Sequence, residues 1–447
     1  MITFQDFEEQ RRQGEEYAIL NAINDWKNGS IYRTAKLADT YDKQLNDTIM
    51  TYVQKIFSLS GTPVEDFTAS NNKIASNFFR RLNVQRNTYS LGNGVTFETD
   101  GIKEKFGAKF DTALLKLAYN ALIHGVSFAF WNGEVNCLKA TEFVPLWDEE
   151  SGVLRAGIRF WQIDEKKPMF MVVYEQDGYT KWKKDKDGFR IVEEKKPYIE
   201  KVVITEADGV EIIDSENYSV LPIVALWGSE LHQSTLVGLR SQIDSYDLIR
   251  SGFANDLSDV SQIYWIIENY GGMSSSDLAQ FRDRLKLNHI ASADTSEGGK
   301  ITPYSQDIPF QARQTYLDGI EKSIYRDFGA LDVHEVSANS TNDHLDAAYQ
   351  PLDENADDFE AQIIEFVQTL GELIGLDRED CIPLFKRNRI ANNSERMQML
   401  AMADWLDTET KIRHTPFITV DEQESVLKRT SAEEVERFIP KKETSEE

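Results

Sequence analysis

A chain of 447 residues with 41% apolar side chains can build two or three domains with real cores. Its formal net charge of −26 disfavours non-specific binding of DNA or anionic membrane by an isolated subunit, and its two distant cysteines, Cys137 and Cys381, read as reduced thiols rather than a disulfide framework. The first nine residues lack the basic-then-apolar order of a signal peptide, and no run reaches the roughly 18 apolar residues of a spanning helix, so an intracellular protein is expected.

Residues 1 to about 140 read as mainly helical. Phe4, Phe7 and Tyr17-Ala-Ile-Leu20 predict a first helix, and Tyr41 to Phe57 and Asn71 to Phe79 predict others. The run Tyr89-Ser-Leu-Gly-Asn-Gly94 breaks the pattern with a turn signal. Phe110 to His124 predicts an amphipathic helix with Leu114, Leu117, Ala118, Ala121 and Leu122 on one face, ended by Gly125.

Residues 126 to about 226 read as an antiparallel β meander. Strands are predicted at Val126–Trp131, Ala156–Trp161, Met169–Tyr174, Lys181–Lys183 and Arg190–Val192. The hairpin signals Asp177-Gly178 and Asp187-Gly188 separate the later ones. Lys181-Trp-Lys-Lys184 is compatible with nucleic-acid binding. A solvated hairpin face is the preferred reading, because Asp185 and Asp187 follow at once.

Leu236, Leu239, Ile243, Tyr246, Phe253, Leu257, Val260 and Tyr264 recur at three- and four-residue steps and predict one helix of about 30 residues. A capped helix over Ser274 to Leu287 and two strands, His289–Ala293 and Lys300–Tyr304, follow. A second long helix is predicted from Gln311 to Phe328, with Tyr316, Ile320, Ile324 and Phe328 on one stripe. A small α/β lobe is thus expected at the end of two helices.

From Asp327 to Asp377, 51 residues hold thirteen carboxylates and no lysine or arginine. Such a surface repels phosphate, which argues against nucleic acid except where a polyanion must slide without sticking. After Asn342 a helix is predicted to run to Gly375, with a kink near Tyr349 caused by Pro351. Its apolar stripe of Phe359, Ile363, Phe366, Val367, Leu370 and Ile374 is expected to hold neighbouring subunits together, with carboxylates opposite. Helices are also predicted at Asn393–Leu406 and Asp421–Phe438, before a polar tail from Lys441.

Catalytic motifs are nearly absent. There is no phosphate-loop motif, no His-Glu-x-x-His and no Cys-x-x-Cys, so neither ATP hydrolysis nor a zinc site of familiar type is expected. His334 and His344 have no evident third ligand. Asp353, Asp357 and Asp358 mimic a two-metal nuclease cluster, against which stands the commoner solvated acidic face. Cys137 has no paired histidine and reads as structural.

Several stretches resemble the portal proteins of tailed bacteriophages, siphophage type. They are Asn71-Asn-Lys-Ile74 with Asn77-Phe-Phe79, Tyr89 to Phe97, Ala118 to Gly125, and Phe143-Val-Pro-Leu-Trp147. Leu221 to Trp227, then Ile243-Asp-Ser-Tyr-Asp247, Ser251 and Asn255-Asp256, are the most specific part. Thr408 to Lys411, Pro416-Phe417 and Asp421-Glu422 complete the set. The order and spacing cover roughly residues 20 to 435.

The resemblance implies an α+β portal fold. Residues 1–230 form a mainly helical wing with an antiparallel β meander. Residues 231–265 and 310–330 form a two-helix stem, with Leu239, Ile243, Tyr246, Phe253, Ile320 and Ile324 as packing residues. Residues 266–309 form a small α/β clip, 331–377 a tunnel loop and kinked wing helix, and 378–447 a helical crown and tail. The tunnel loop is expected at Ser337, Ala338, Asn339, Ser340, Thr341 and Asn342, with the last four approaching DNA without reading sequence. The run Ser340-Thr-Asn-Asp-His-Leu345 departs from the family's common Ser-Gly-x-Ala-Leu pattern there. The implied role is a ring, twelve-fold in virions, conducting double-stranded DNA at one capsid vertex. The implied partners are terminase, scaffold and major capsid protein, and a head-completion adaptor, with no membrane, cofactor, metal or ATPase activity. Another phage structural or adaptor protein is the alternative reading.

Overall fold

The computed structural model describes residues 2–57, 61–66, 70–205, 209–260, 264–268, 300–304, 310–332, 342–389, 393–403 and 405–413, with 426 and 429. The expected helix Ser274–Leu287, strand His289–Ala293, the loop residues Ser337 to Thr341 and nearly all of Asp421–Phe438 lie outside these residues.

Four helices open the chain: Phe4–Arg11, Glu15–Asn28, Ser30–Asp42 and Asp47–Thr51. The single first helix expected is two, because Thr3 and Asp6 close a reciprocal capping box on the first and the chain turns at Arg12–Gly14. Tyr41 belongs to the third helix, and the expected helix up to Phe57 ends at Thr51. Lys55–Phe57 is a strand paired with Pro63–Glu65. Ala18, Ile19, Ala22, Ile23 and Trp26 form a buried stripe on the second helix. They pack against Phe143, Leu146, Ala156, Ile158, Met171 and Val173 in one core. The Trp26 indole donates to the Ala140 carbonyl at 2.9 Å, so its polar atom is buried with a partner.

Five strands, Phe143–Trp147, Leu154–Trp161, Met169–Glu175, Gly178–Asp185 and Gly188–Lys196, pair consecutively and antiparallel. This is the expected meander. Its last two turns are the residue pairs Gln176-Asp177 and Lys186-Asp187, each followed by a glycine that opens the next strand.

Val126–Trp131 does not join that sheet. It is the middle strand of a separate three-stranded sheet, between Ile223–Trp227 and Val135–Lys139. Both of its faces are covered, which explains its nearly unbroken apolar sequence. Val126 and Phe128 lie in the first core. Ala129 and Trp131 lie in a second core with Leu114, Leu117, Ala118, Ala121 and Leu122. Those five residues come from the expected helix Phe110–His124. Gly125 ends it with φ 90°, its N–H bonded to the Ala121 carbonyl. A Cβ there would sit 2.9 Å from Ser234 N, so conformation and space both require glycine.

The segment Asn71–Phe79 is not the expected helix. The helix begins at Phe78 and runs to Leu91, and the residues before it belong to no helix or strand. The long helix spans Leu236–Val260 and stops short of Tyr264. Tyr264-Trp-Ile-Ile-Glu268 is a strand paired antiparallel with Lys300–Tyr304, as an aromatic and β-branched run favours. The second long helix is Phe310–Phe328. Gln242 bonds Asp327 and Arg313 pairs with Asp256, so the two long helices are antiparallel.

A 32-residue helix, Asn342–Leu373, runs unbroken through Pro351. Phe359, Ile363, Phe366, Val367 and Leu370 are buried in the second core against the helix Phe110–His124 and the three-stranded sheet. The expectation that this stripe joins subunits is therefore corrected: it holds the helix inside its own chain, with partly buried Ile374 packed alongside.

Candidate functional site

Two polar constructions tie the long helices to the body. The first is a ladder. Asp247, Ser251 and Asn255 stand four residues apart on one face of the helix Leu236–Val260. Their side chains accept the backbone N–H groups of Ser76 at 2.9 Å, Ile74 at 3.0 Å and Asn72 at 2.6 Å. Four helical residues rise about 6 Å, a distance that two residues of non-helical chain can span. Every second amide of the segment Asn72–Ser76 meets a helix side chain. Asn46 also donates to Asp247. Burial raises the Asp247 carboxyl above its ordinary range, and the bonds from Asn46 and Ser76 work against that rise. One turn earlier, Asp244 accepts from Thr48 at 2.8 Å and from Tyr41. The most specific motif of the sequence thus forms a docking strip for the other motif, Asn71 to Phe79.

The second construction lies on the acidic helix. Strand Leu384–Phe385 pairs with Val95–Thr96 and leads residues 386–389 across the face that carries Asp346, Asp353, Asp357 and Glu360. Arg387 grips Glu360 with a two-pronged contact, at 3.1 and 2.8 Å, and also reaches Asp353 and Asp357. These hydrogen bonds, Glu360's first, hold its guanidinium far above the ordinary range against the opposing effect of burial. Arg389 pairs with Asp346 and Asp353 and receives Tyr89 as a further partner, while Tyr89 donates to Asp353 at 2.5 Å. Tyr89 stacks on Tyr349 at 5.7 Å. On the other flank Arg86, pushed down to about 10 by burial, lies 3.6 Å from Asp358 and donates to the Asn355 carbonyl.

The acidic stretch is therefore not a bare wall. Its lack of basic residues is made good by Arg387 and Arg389, from just beyond it, and by Arg86, from far earlier in the chain. Sequence reading missed all three. The signal was the basic run Lys386-Arg-Asn-Arg389, close behind the acidic helix. For the nuclease reading, Arg387 occupies the place between Asp353, Asp357 and Glu360 that a metal cation would need. Among the described residues no group of three acidic, histidine or cysteine side chains is arranged to hold a metal.

Of the residues expected in stem packing, Leu239, Ile243 and Ile324 are buried in a third core with Phe78, Phe79 and Tyr325, flanked by Tyr246 and Ile320. Phe253 packs against Phe310, the rings tilted with centroids 5.4 Å apart. Of the tunnel-loop residues, only Asn342 falls in the described chain, at the start of its helix. Lys181, Lys183 and Lys184 each pair with a carboxylate, Glu193, Asp185 and Glu16, as a solvated hairpin face requires. Cys137 accepts from Asn120, and burial pushes its thiol up, the direction of an unreactive cysteine. No helix among the described residues is long and apolar enough to cross a membrane.

The helices and antiparallel sheets define a protein of mixed α+β class. The chain belongs to the phage portal protein family, SPP1 Gp6-like, whose family model it matches over residues 23–444. It is 23% identical over 390 residues to the portal protein of Clostridium phage phiCD119, covering 80% of this chain and 84% of that one. It is 22% identical over 407 residues to the portal protein of Bacillus phage SPP1, covering 82% and 78%. Among solved structures it is similar to a chain of the neck of an empty GTA particle, with TM-score 0.42, 9% identity and coverage of 75% and 89%. The family resemblance seen in the sequence holds. The chain is a portal protein, a head–tail connector of the virion's capsid vertex, from a structural family whose members form oligomeric rings.

Proposed function

We propose that this chain closes into a twelve-subunit ring at a single capsid vertex and conducts double-stranded DNA through its channel during packaging and ejection. It docks terminase first and head-completion or tail adaptors later, and it assembles with scaffold and major capsid protein in the host cytoplasm. The carrying observation is the far end of the antiparallel helix pair. There Leu257, Phe310 and Tyr316 are 55%, 56% and 52% exposed, and Tyr316 joins Ile249, Gly252, Ala312 and the ion pair Asp256–Arg313 in lining an open cleft of 480 Å³. Clustered apolar side chains left uncovered by one chain mark a protein interface, and in a ring the neighbouring copies cover them.

In this reading residues 1–230 are the wing, 231–265 and 310–330 the stem, 266–309 the clip, 331–377 the tunnel loop with its helix, and 378–447 the crown and tail. Ser337 to Asn342 touch DNA through short polar side chains that meet the phosphate backbone and read no bases. Exposed Asp343, Glu354 and Glu365 keep DNA from adhering, because each neutralised phosphate adds affinity. The energy for movement comes from a partner motor, and the chain itself turns over no ATP. Negative-stain imaging of the purified chain tests this. Closed rings with a central hole are expected, and particles without a channel would sink the proposal.

A further inference from the structure

The three-stranded sheet has an open edge where the strand Ile223–Trp227 borders a cleft of 520 Å³. Two hydrogen bonds fix which of its backbone groups face outward. The Trp131 N–H donates to the Pro222 carbonyl at 2.9 Å and the Gly228 N–H to the Gly125 carbonyl at 3.0 Å, between residues that the register sets directly opposite. Opposed residues of an antiparallel pair alternate between bonded and unbonded. Val224 and Leu226 therefore bond the middle strand, and the N–H and C=O groups of Ile223, Ala225 and Trp227 point away from it. Among the described residues these outward groups meet no partner.

The side chains of this strand are already covered, Ile223 in the first core and Val224 and Leu226 in the second, so its edge alone is unfilled. Phe366 and Leu373 of the acidic helix line the cleft together with Trp147 and Leu154 of the meander. An open edge is ordinarily blunted by charge. The outermost strand of the meander, Gly188–Lys196, is of that kind, with Arg190, Glu193, Glu194, Lys195 and Lys196. Ile223–Trp227 carries no charge. An apolar edge beside an apolar cleft has the form of a site for strand addition.

The same chain holds a strand pair that lacks a sheet. Ile199–Thr205 and Gly209–Glu216 pair antiparallel with each other and with no third strand. They form an arm on the order of 23 Å long, and two strands by themselves are marginally stable in water. The first strand holds the unbroken run Val202-Val203-Ile204, the pattern of a strand covered on both faces. Lys201 heads that run and is opposite in sign to Glu365, which with Glu372 supplies the only charges in the cleft lining. Within one subunit the base of the arm is pinned to the meander. Tyr198 donates to the Glu175 carbonyl at 2.6 Å and Asn217 to the Asp177 carbonyl at 3.0 Å, and arm and edge lie in separate sheets.

We infer that the strand Ile199–Thr205 of one subunit adds to the edge Ile223–Trp227 of its neighbour, bonding the outward groups of Ile223, Ala225 and Trp227. Each copy then offers an arm to one neighbour and an edge to the other, a head-to-tail contact of the kind that closes a ring. The inference deepens the ring reading above and rests on it.

Amide hydrogen exchange, resolved to single residues by electron-transfer fragmentation, tests it on the full chain. In single subunits obtained by dilution, the amides of Ile223, Ala225 and Trp227 should exchange at least about tenfold faster than those of Val224 and Leu226. In closed rings all five should be protected. Val203→Asp, in the arm, should restore the alternation in rings, or prevent closure without altering the subunit's far-ultraviolet dichroism. Ala225→Pro removes one outward donor and keeps both neighbouring ladder bonds, so it should raise the concentration needed for ring closure about tenfold. Val192→Asp, on the charged outer strand of the meander, should change nothing. Native rings whose outward amides exchange as in subunits, Val203→Asp rings that keep them protected, or Ala225→Pro chain that closes as readily as native chain overturn the inference and leave the ring reading standing. Full protection already present in single subunits seats a segment of the same chain on the edge and also overturns it. Native chain that closes no ring defeats the ring reading itself, and this inference with it.

Discussion

Arg387 donates through Nη1 to the Oδ1 of Asp353 at 3.0 Å, across 34 residues of chain. The bond fastens the proximal half of the acidic helix, near Pro351, to a strap anchored on the Val95–Thr96 strand. The distal half needs no such bond, because Phe359, Ile363, Phe366 and Leu370 hold it in the core. One helix is thus fixed by charge at one end and by apolar burial at the other.

Replacing Arg387 with Gln leaves largely buried Glu360 without its main partner. A loss of about 2 kcal/mol is expected in denaturant unfolding, between the values for exposed and buried pairs. Arg387→Lys should recover only part, since an ammonium lacks the planar fork. The difference should shrink at high salt. Equal stability of Gln variant and native chain would refute the brace.

The acid limb has a definite sign. Burial tends to raise Asp353, but hydrogen bonds from Tyr89, Arg389 and Arg387 outweigh it and hold the carboxyl below its usual range. The backbone and side chain of Ser151 hold Asp148 at about 2. Carboxylates depressed in the folded state stabilise it above their unfolded pKa, near 4, and that contribution disappears as pH falls through the folded value. Stability should therefore fall from roughly pH 4 downward, and Asp353→Asn should flatten part of that limb. Asp247, raised by burial, contributes with the opposite sign. Melting curves across pH 2 to 6 check both, with Asp247→Asn as the partner variant.

Asp247→Ala removes the acceptor for Ser76 N–H and Asn46. A cost of about 2–4 kcal/mol is expected, because the buried Ser76 amide loses its acceptor and Asn46 keeps only the Ser76 carbonyl. Ser251→Ala should cost only about 1 kcal/mol. Amide hydrogen exchange gives the sharper readout. Exchange should accelerate at Ser76 in the first variant and at Ile74 in the second, while amides of the β meander keep their protection. Uniform acceleration everywhere would contradict a local ladder.

Gly371 faces Cys381 so closely that an added Cβ would sit 2.3 Å from the sulfur. Gly371→Ala should destabilise by about 1–3 kcal/mol despite alanine's better helix propensity. Adding Cys381→Ala vacates the contested space, so the double variant should be more stable than the two single effects predict. Simple additivity in unfolding experiments would show that the contact is not what matters.

Leu257→Ser, Phe310→Ser and Tyr316→Ser together should abolish ring formation in light scattering. The subunit's far-ultraviolet dichroism should stay unchanged, because these side chains are more than half exposed in the single chain. Rings of native size from the triple variant would remove the helix tips from the interface.

The sequence alone determined what depends on near neighbours. The period of Phe110–His124 and its terminal glycine, the Asp-Gly turns of the meander, the helix Phe310–Phe328 and the stripe from Phe359 to Leu370 were all legible, as was the portal family. Tertiary structure decided which partners those elements meet. Asn71 to Asn77 looked helical but forms no helix, and its amides at Asn72, Ile74 and Ser76 bond to side chains more than 170 residues away. Val126–Trp131 left the meander because Ile223–Trp227 and Val135–Lys139 flank it. The stripe thought to join subunits faces inward, and the carboxylates opposite it meet arginines from beyond the helix. Periodicity reports only that a face is apolar or charged; what covers that face is set by packing between residues far apart in the chain, which no local pattern encodes.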